Sequence, residues 1–291
     1  MQLDPIAADA GVRLVALGTV GSTNKEAQLR SRRGERGPLW ITAEAQTAGR
    51  GRMDRSWVSP LGNLYASLLL SGPSSFEHAP ELAFVAGLAL RDAIVAEVPA
   101  FEAALTFKWP NDLLLAGEKC AGILIEGDVG REGDIEPGNA LSVVIGIGVN
   151  CITHPPTASA TDADPSHSGL DPFSDAAVSY PATDLLAHGA GITPQQLFQG
   201  LSATMWRRIA QWDRGRGFSA ILGDWLTAVR GLGEDVTVRN GGSEKTGRFV
   251  GLDRSGRLVL ELHGGAVEKI SAGDVFPFSL RSGRRVPSLP G

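Results

Sequence analysis

Val144-Ile145-Gly146-Ile147-Gly148-Val149-Asn150 is a run with two unlike faces. Side chains alternate along an extended strand, so Ile145, Ile147 and Val149 share one face, and Gly146, Gly148 and Asn150 share the other. The aliphatic face suits a sheet packed on a core. The glycine face is a bare floor that weakens the strand, so another element or a ligand must lie against it. Asn150, at the end of that face, can both donate and accept hydrogen bonds. A dinucleotide-binding turn does not fit, because the third glycine is missing and no helix pattern follows.

The neighbouring sequence predicts further strands at residues 12–20, 39–43, 64–70, 104–109, 112–115 and 121–126. Ser22 and Thr23 open a helix, and Glu26 stands at capping-box spacing from Thr23. Residues 30–36, charged and containing glycine, read as an exposed turn. Residues 80–98 form a helix with Leu82, Val85, Ala86, Ala89, Leu90, Ala93 and Ile94 on one stripe. Thr193, Pro194 and Gln196 carry a second helix start, followed by Phe198, Leu201, Met205, Ile209 and Trp212 at helical spacing. A last helix covers residues 218–229. Short strands at 236–239, 247–252, 258–262 and 267–270, separated by glycine-containing turns, make a small β-module.

These elements imply an α+β chain. Residues 1–231 form a large domain and 232–281 the β-module, with a tail at 282–291. Within the large domain, residues 153–181 are rich in Ser, Asp, Pro and Ala and read as a mobile insertion.

The chain has 291 residues, 43% hydrophobic and 20% charged, with net charge -5. That balance is globular, and its acidity disfavours general nucleic-acid binding. No apolar run is long enough to span a membrane, and the N-terminus carries no secretory pattern. Cys120 and Cys151 sit in apolar runs and read as reduced, buried thiols, as expected in the cytoplasm. The five scattered histidines give no metal-ligand spacing. Phosphate-loop and Gly-x-Ser-x-Gly signatures are absent.

The loop Ala48-Gly49-Arg50-Gly51-Arg52-Met53-Asp54-Arg55-Ser56-Trp57 has the means to grip an anion. Its glycines permit close backbone approach, its arginines offer planar charged forks, and Trp57 offers a stacking face. The same residues also suit a solvated basic turn. Lys108 ends a strand before Pro110, opposite the face of Leu105, Phe107 and Trp109. Gln46 precedes the loop and can bond a neutral amide-like group.

Taken in order, Gly21-Ser22-Thr23-Asn24, Gln46-Thr47-Ala48-Gly49-Arg50-Gly51-Arg52, Lys108-Trp109-Pro110-Asn111-Asp112, Lys119-Cys120-Ala121-Gly122-Ile123-Leu124 and the Gly146 to Asn150 strand resemble the motifs of biotin–protein ligases. The resemblance implies a catalytic domain like class II aminoacyl-tRNA synthetases, a biotin synthetase-like fold, with a C-terminal SH3-like β-barrel. It implies activation of biotin by ATP, with Mg²⁺ as counter-ion, and transfer to a lysine of a biotin carboxyl carrier domain.

By that resemblance, Lys108, Arg50 and Arg52 are catalytic. Biotin meets Ser22, Thr23, Asn24, Gln46, Gly49, Arg50, Gly51, Arg52, Lys108, Gly122, Gly146 and Gly148. The nucleotide meets Arg52, Arg55, Trp57, Lys108, Asn111, Lys119 and Asn150. No resident metal ligand is expected. The loop departs from the family pattern at Met53-Asp54, where a second Arg-Gly pair is usual. Ser22 lies too near Met1 for the helix-turn-helix domain of some members, so no DNA partner is expected. Two other activities remain open: a lipoate or octanoate ligase or transferase of related fold, and a non-catalytic biotin-binding regulator.

Overall fold

The computed structural model describes residues 1–129, 141–156, 180–240 and 243–277. Contacts divide the chain into two units, Met1–Phe107 with Asn111–Ala228, and Lys108–Pro110 with Val229–Gly291.

The first unit is built on a seven-stranded sheet. Its strands are β1 (Arg13–Val20), β2 (Leu39–Gln46), β3 (Leu64–Ser71), β4 (Leu105–Lys108), β5 (Asp112–Leu115), β6 (Glu118–Val129) and β7 (Leu141–Val149). Their order is β1-β2-β3-β7-β6-β5-β4. The parallel pair β1–β2 is followed by antiparallel pairing through β3, β7 and β6. The two-faced strand is therefore central: Gly146 is opposite Ser67 on one side and Leu124 on the other, and Gly148 is opposite Tyr65 and Gly122.

The two sheet faces carry different layers. Helix α2 (Thr23–Arg32) follows α1 (Pro5–Asp9) and packs on the glycine side, where Ala27 joins Leu39, Ile41, Leu69 and Val144. Helices α3 (Leu82–Glu97), α4 (Pro194–Trp212) and α5 (Phe218–Leu226) pack together on the other side. Phe107 stacks on Trp225 at 5.0 Å, and Phe84 meets Trp225 edge-on at 5.1 Å. Trp40 packs edge-on against Phe198 of α4.

Several elements differ from the sequence reading for identifiable reasons. Helix α3 is buried on nearly every side from Leu82 to Leu90, not along one stripe, because α4 and α5 cover its outer face. Residues 30–32 continue α2, and the turn begins only at Arg33. Residues 80 and 81 belong to a 3-10 segment, Phe76–Glu81, that precedes α3. The capping box at Thr193 forms as the spacing demands, with Gln196 returning the bond. The one expected at Thr23 does not form, since Ser22 is the N-cap and makes no side-chain cap bond. The expected mobile insertion lies largely outside the described residues, and the expected tail wholly so.

The second unit is a five-stranded antiparallel sheet ordered β11-β10-β9-β8-β12. It comprises β8 (Asp235–Asn240), β9 (Ser243–Leu252), β10 (Leu258–Leu262), β11 (Val267–Ile270) and β12 (Asp274–Pro277), the last not anticipated from sequence. Val236, Val238, Phe249, Leu258 and Leu260 fill its core. Within this unit the Trp109 indole N–H donates to the Gly256 carbonyl at 2.9 Å. Lys108 Nζ lies 3.8 Å from Asp274 Oδ1 and 5.1 Å over the Phe276 ring.

Candidate active site

The arginine loop folds into a narrow arm rather than a loose turn. Gln46 bridges Ser59, Trp57 N–H donates to the Gly49 carbonyl at 2.9 Å, and Gly51 N–H donates to the Arg55 carbonyl at 2.7 Å. The tip is one 3-10 turn, Arg52–Asp54, in which Met53 takes the left-handed φ of 54°. Asp54 keeps helical angles, so the backbone at that position does not require the family's glycine. Behind the arm, the buried Tyr65 hydroxyl donates to the Pro60 carbonyl at 2.8 Å. Burial pushes this phenol up to about 12, so it remains a donor at neutral pH.

The glycine floor is covered by two side chains. A Cβ on Gly146 would stand 2.3 Å from Asn24 Oδ1, and one on Gly148 would stand 2.6 Å from Trp57 Nε1. The Trp57 ring also reaches Gly122, where a Cβ would meet Cζ3 at 3.2 Å. The small residues are thus needed so that an amide and an indole can approach the sheet. Of the two occupants the sequence allowed for the glycine face, another element is therefore the one that lies against it here.

A polar network starts at α2. Gln46 Oε1 accepts from Thr23 N–H at 2.8 Å and lies 3.1 Å from Thr23 Oγ1, so the helix start is capped from β2. Gln46 Nε2 donates to Ser59 Oγ at 2.9 Å, and Ser59 Oγ donates to the Trp57 carbonyl. Ser67 Oγ lies 2.8 Å from Thr23 Oγ1 and 2.6 Å from Asn24 Oδ1. Asn24 Nδ2 donates to Glu126 Oε2 at 2.6 Å, and Arg50 Nη2 donates to Glu126 Oε1 at 3.0 Å.

Two further cations belong to this region. Lys119 Nζ lies 5.4 Å over the Trp57 ring and 2.7 Å from Asp112 Oδ1, beside Gly122. Arg52 Nη1 donates to Asn111 Oδ1 at 2.9 Å, and Asn111 is fixed by the Ile123 carbonyl. Two donors in the cluster are buried without a partner among the described residues: Trp57 Nε1 and Arg50 Nε. A buried unmatched donor is costly, and a ligand acceptor would satisfy either one.

The structure therefore brings together Thr23, Asn24, Gln46, Arg50, Arg52, Trp57, Asn111, Lys119, Gly122, Gly146 and Gly148. Ser22 is buried beside them as the N-cap, Gly49 and Gly51 form the arm's backbone, and Arg55 is exposed near its tip. Asn150 is spent elsewhere: it is buried, and its amide donates to the Thr183 carbonyl at 3.0 Å. Lys108, expected opposite the face of Leu105, Phe107 and Trp109, has its side chain buried within the second unit, next to Asp274. Sequence reasoning passed over Ser59, Ser67, Asp112 and Glu126. The one available signal was a polar residue inside or ending an apolar run, as in Ser67 and Glu126.

No group of three or more His, Cys, Asp or Glu among the described residues could hold a metal ion. No helix among them is long and apolar enough to cross a membrane.

Residues 19–150 match the Biotin/lipoate A/B protein ligase family, which gives the class. Residues 231–276 match the Biotin protein ligase C terminal domain. The biotin--[acetyl-CoA-carboxylase] ligase of Paracoccus denitrificans is 38% identical over 261 residues, spanning 89% of this chain and 98% of that protein. The bifunctional ligase/repressor BirA of Bacillus spizizenii is 31% identical, spanning 91% of this chain and 74% of that protein. The fold is that of the biotin protein ligase from Aquifex aeolicus solved with biotin and ATP, with a TM-score of 0.67 and 24% identity over 91% of this chain and 97% of that one. The chain belongs to the biotin protein ligase family.

Proposed function

We propose that this protein activates biotin with ATP to biotinyl-5′-adenylate and passes biotin to a lysine of a carboxyl carrier domain. The observation that carries the reading is the arginine arm folded onto the glycine floor, with Trp57, Lys119 and the unmatched Arg50 Nε converging there. The 38% identical ligase supports it.

In the first step a biotin carboxylate oxygen attacks the α-phosphorus of ATP, and pyrophosphate leaves. Two anions must meet, so fixed cations at that point lower the barrier. Lys119 suits this role, because its ammonium lies beside Gly122 and over Trp57. Arg52, braced by Asn111, adds a second positive group. Magnesium enters as the counter-ion of the nucleotide and neutralises phosphate charge.

Biotin's ureido ring is neutral and rich in donors and acceptors. Thr23, Asn24, Gln46 and Ser67 supply groups of that kind at the root of the arm. Trp57 gives a flat face for the nucleotide, with Arg55 near the tip of the arm. In the second step the neutral amine of the carrier lysine attacks the acyl carbon, and AMP leaves. The closed arm excludes water, which would hydrolyse the mixed anhydride. We place the reaction in the cytoplasm.

The test is purified protein with biotin, ATP, Mg²⁺ and a carrier fragment, read by mass spectrometry of the carrier. Absence of a biotin adduct, with folded enzyme and competent carrier, would refute the proposal. Lipoate in place of biotin distinguishes the related ligases. Biotin binding without pyrophosphate release would identify a regulator.

A further inference from the structure

We propose that Glu126 is a positioning residue: by bonding Arg50 and Asn24 at once it holds the root of the arginine arm against the sheet and aims Arg50 at the bound acid. The proposal rests on the biotin-activating reading above.

Glu126 lies on β6 opposite Val144, on the same face as Gly122 and Leu124, two places further along that strand. Its two oxygens serve different elements. Oε1 accepts from Arg50 of the arm at 3.0 Å, and Oε2 accepts from Asn24 of α2 at 2.6 Å. Asn24 is buried, and its other amide atom faces Ser67. Ser67 faces Thr23, and Thr23 bonds Gln46. The bonds thus run Gln46–Thr23–Ser67–Asn24–Glu126–Arg50 across β2, α2, β3 and β6. Gln46 and Arg50 stand at the entry to the arm, so this chain of side chains ties the arm's root over the glycine floor.

The same pairing sets the direction of Arg50. With Nη2 committed to Glu126, the guanidinium plane is fixed and Nε remains buried without a partner. A planar fork anchored at one corner presents its other donors in a fixed direction. A carboxylate beside an anionic ligand repels it, and here Arg50 offsets that charge. A glutamine at this position offers one acceptor where the carboxylate offers two, so it cannot accept from Arg50 and Asn24 through separate oxygens.

The full chain, E126Q and E126D are compared for biotin KM and kcat of pyrophosphate release, for AMP release without carrier, and for melting temperature. We expect E126Q to raise the biotin KM roughly tenfold, the size of one lost charge-assisted bond. Leakage of adenylate as AMP rises with it. At saturating biotin, kcat stays within about twofold, since uniform binding rather than the transition state is lost. Melting temperature falls by only a few degrees, and E126D, which keeps both acceptors, recovers part of the KM. A wild-type KM and leakage in E126Q overturns the proposal, as does a loss that merely tracks a lowered melting temperature with no recovery in E126D. Wild-type protein that releases no pyrophosphate from biotin and ATP refutes the underlying function and this role with it. Turnover by wild type and an indifferent E126Q refutes Glu126 alone.

Discussion

Trp57 Nε1 lies 2.6 Å from the point where a Cβ on Gly148 would stand. The missing side chain of one residue is therefore the seat of the other. Gly148→Ala must push the indole off the sheet or distort β7. Overpacking of this kind costs about 1–3 kcal/mol. We expect a folded protein with lowered urea stability, a changed tryptophan emission and at least a roughly tenfold slower pyrophosphate release, the kinetic size of about 1.4 kcal/mol. Wild-type emission and rate in this variant would show that the contact does not govern the site.

The same argument applies at Gly146, with Asn24 as the displaced group. Gly146→Ala is expected to cost stability by a comparable amount, about 1–3 kcal/mol. Pairing it with Asn24→Ala, which removes the obstructing amide, should recover part of that loss. Denaturant titration of the single and double variants measures the coupling, and strict additivity would refute it.

Lys119 and Lys108 separate chemistry from stability. Lys119→Ala should slow adenylate formation by about 10²–10³, the usual effect of losing one preorganised charge-stabilising group. Lys108→Ala should act mainly on folding, by about 1–3 kcal/mol, because it removes a buried side chain packed beside Asp274 and over the Phe276 ring. Single-turnover pyrophosphate release and thermal melts of both variants decide the matter. A large rate loss confined to Lys108→Ala would return the catalytic role to that residue.

Trp225 is buried between Phe84 and Phe107. Trp225→Ala should destabilise the first unit by about 3–5 kcal/mol through the cavity left behind. Calorimetry should show a lowered transition. A change below about 1 kcal/mol would contradict close packing at that position.

Burial pushes the thiols of Cys120 and Cys151 up to about 12. The thiolate is the reactive form and is scarce far below that value. Neither cysteine should react with iodoacetamide at pH 8 in the native protein, and both should react after denaturation. Fast native labelling, followed by peptide mass spectrometry, would contradict their burial.

Much of the fold was legible because it rests on local patterns. The alternation from Val144 to Val149 marks a strand wherever it is placed, and Thr193-Pro194-Gln196 satisfies its own helix start. Thr23 shows where locality fails. It has the same spacing to Glu26, yet Gln46, distant in sequence, takes the N–H that a local cap would use. The length of β2 was underestimated for a related reason, since Glu44 to Gln46 are held by β1 rather than by hydrophobic pattern.

The sequence by itself determined the two-faced strand, the buried thiols and the family. It also determined that something must lie on the glycine face. Only the tertiary structure decided what lies there: Asn24 from α2 and Trp57 from the arm. It alone joined Glu126 to Arg50 and set Lys119 over the indole. The physical reason is that alternation specifies which way a side chain points. The group it meets comes from another part of the chain, brought near by sheet order and helix packing that no single segment encodes.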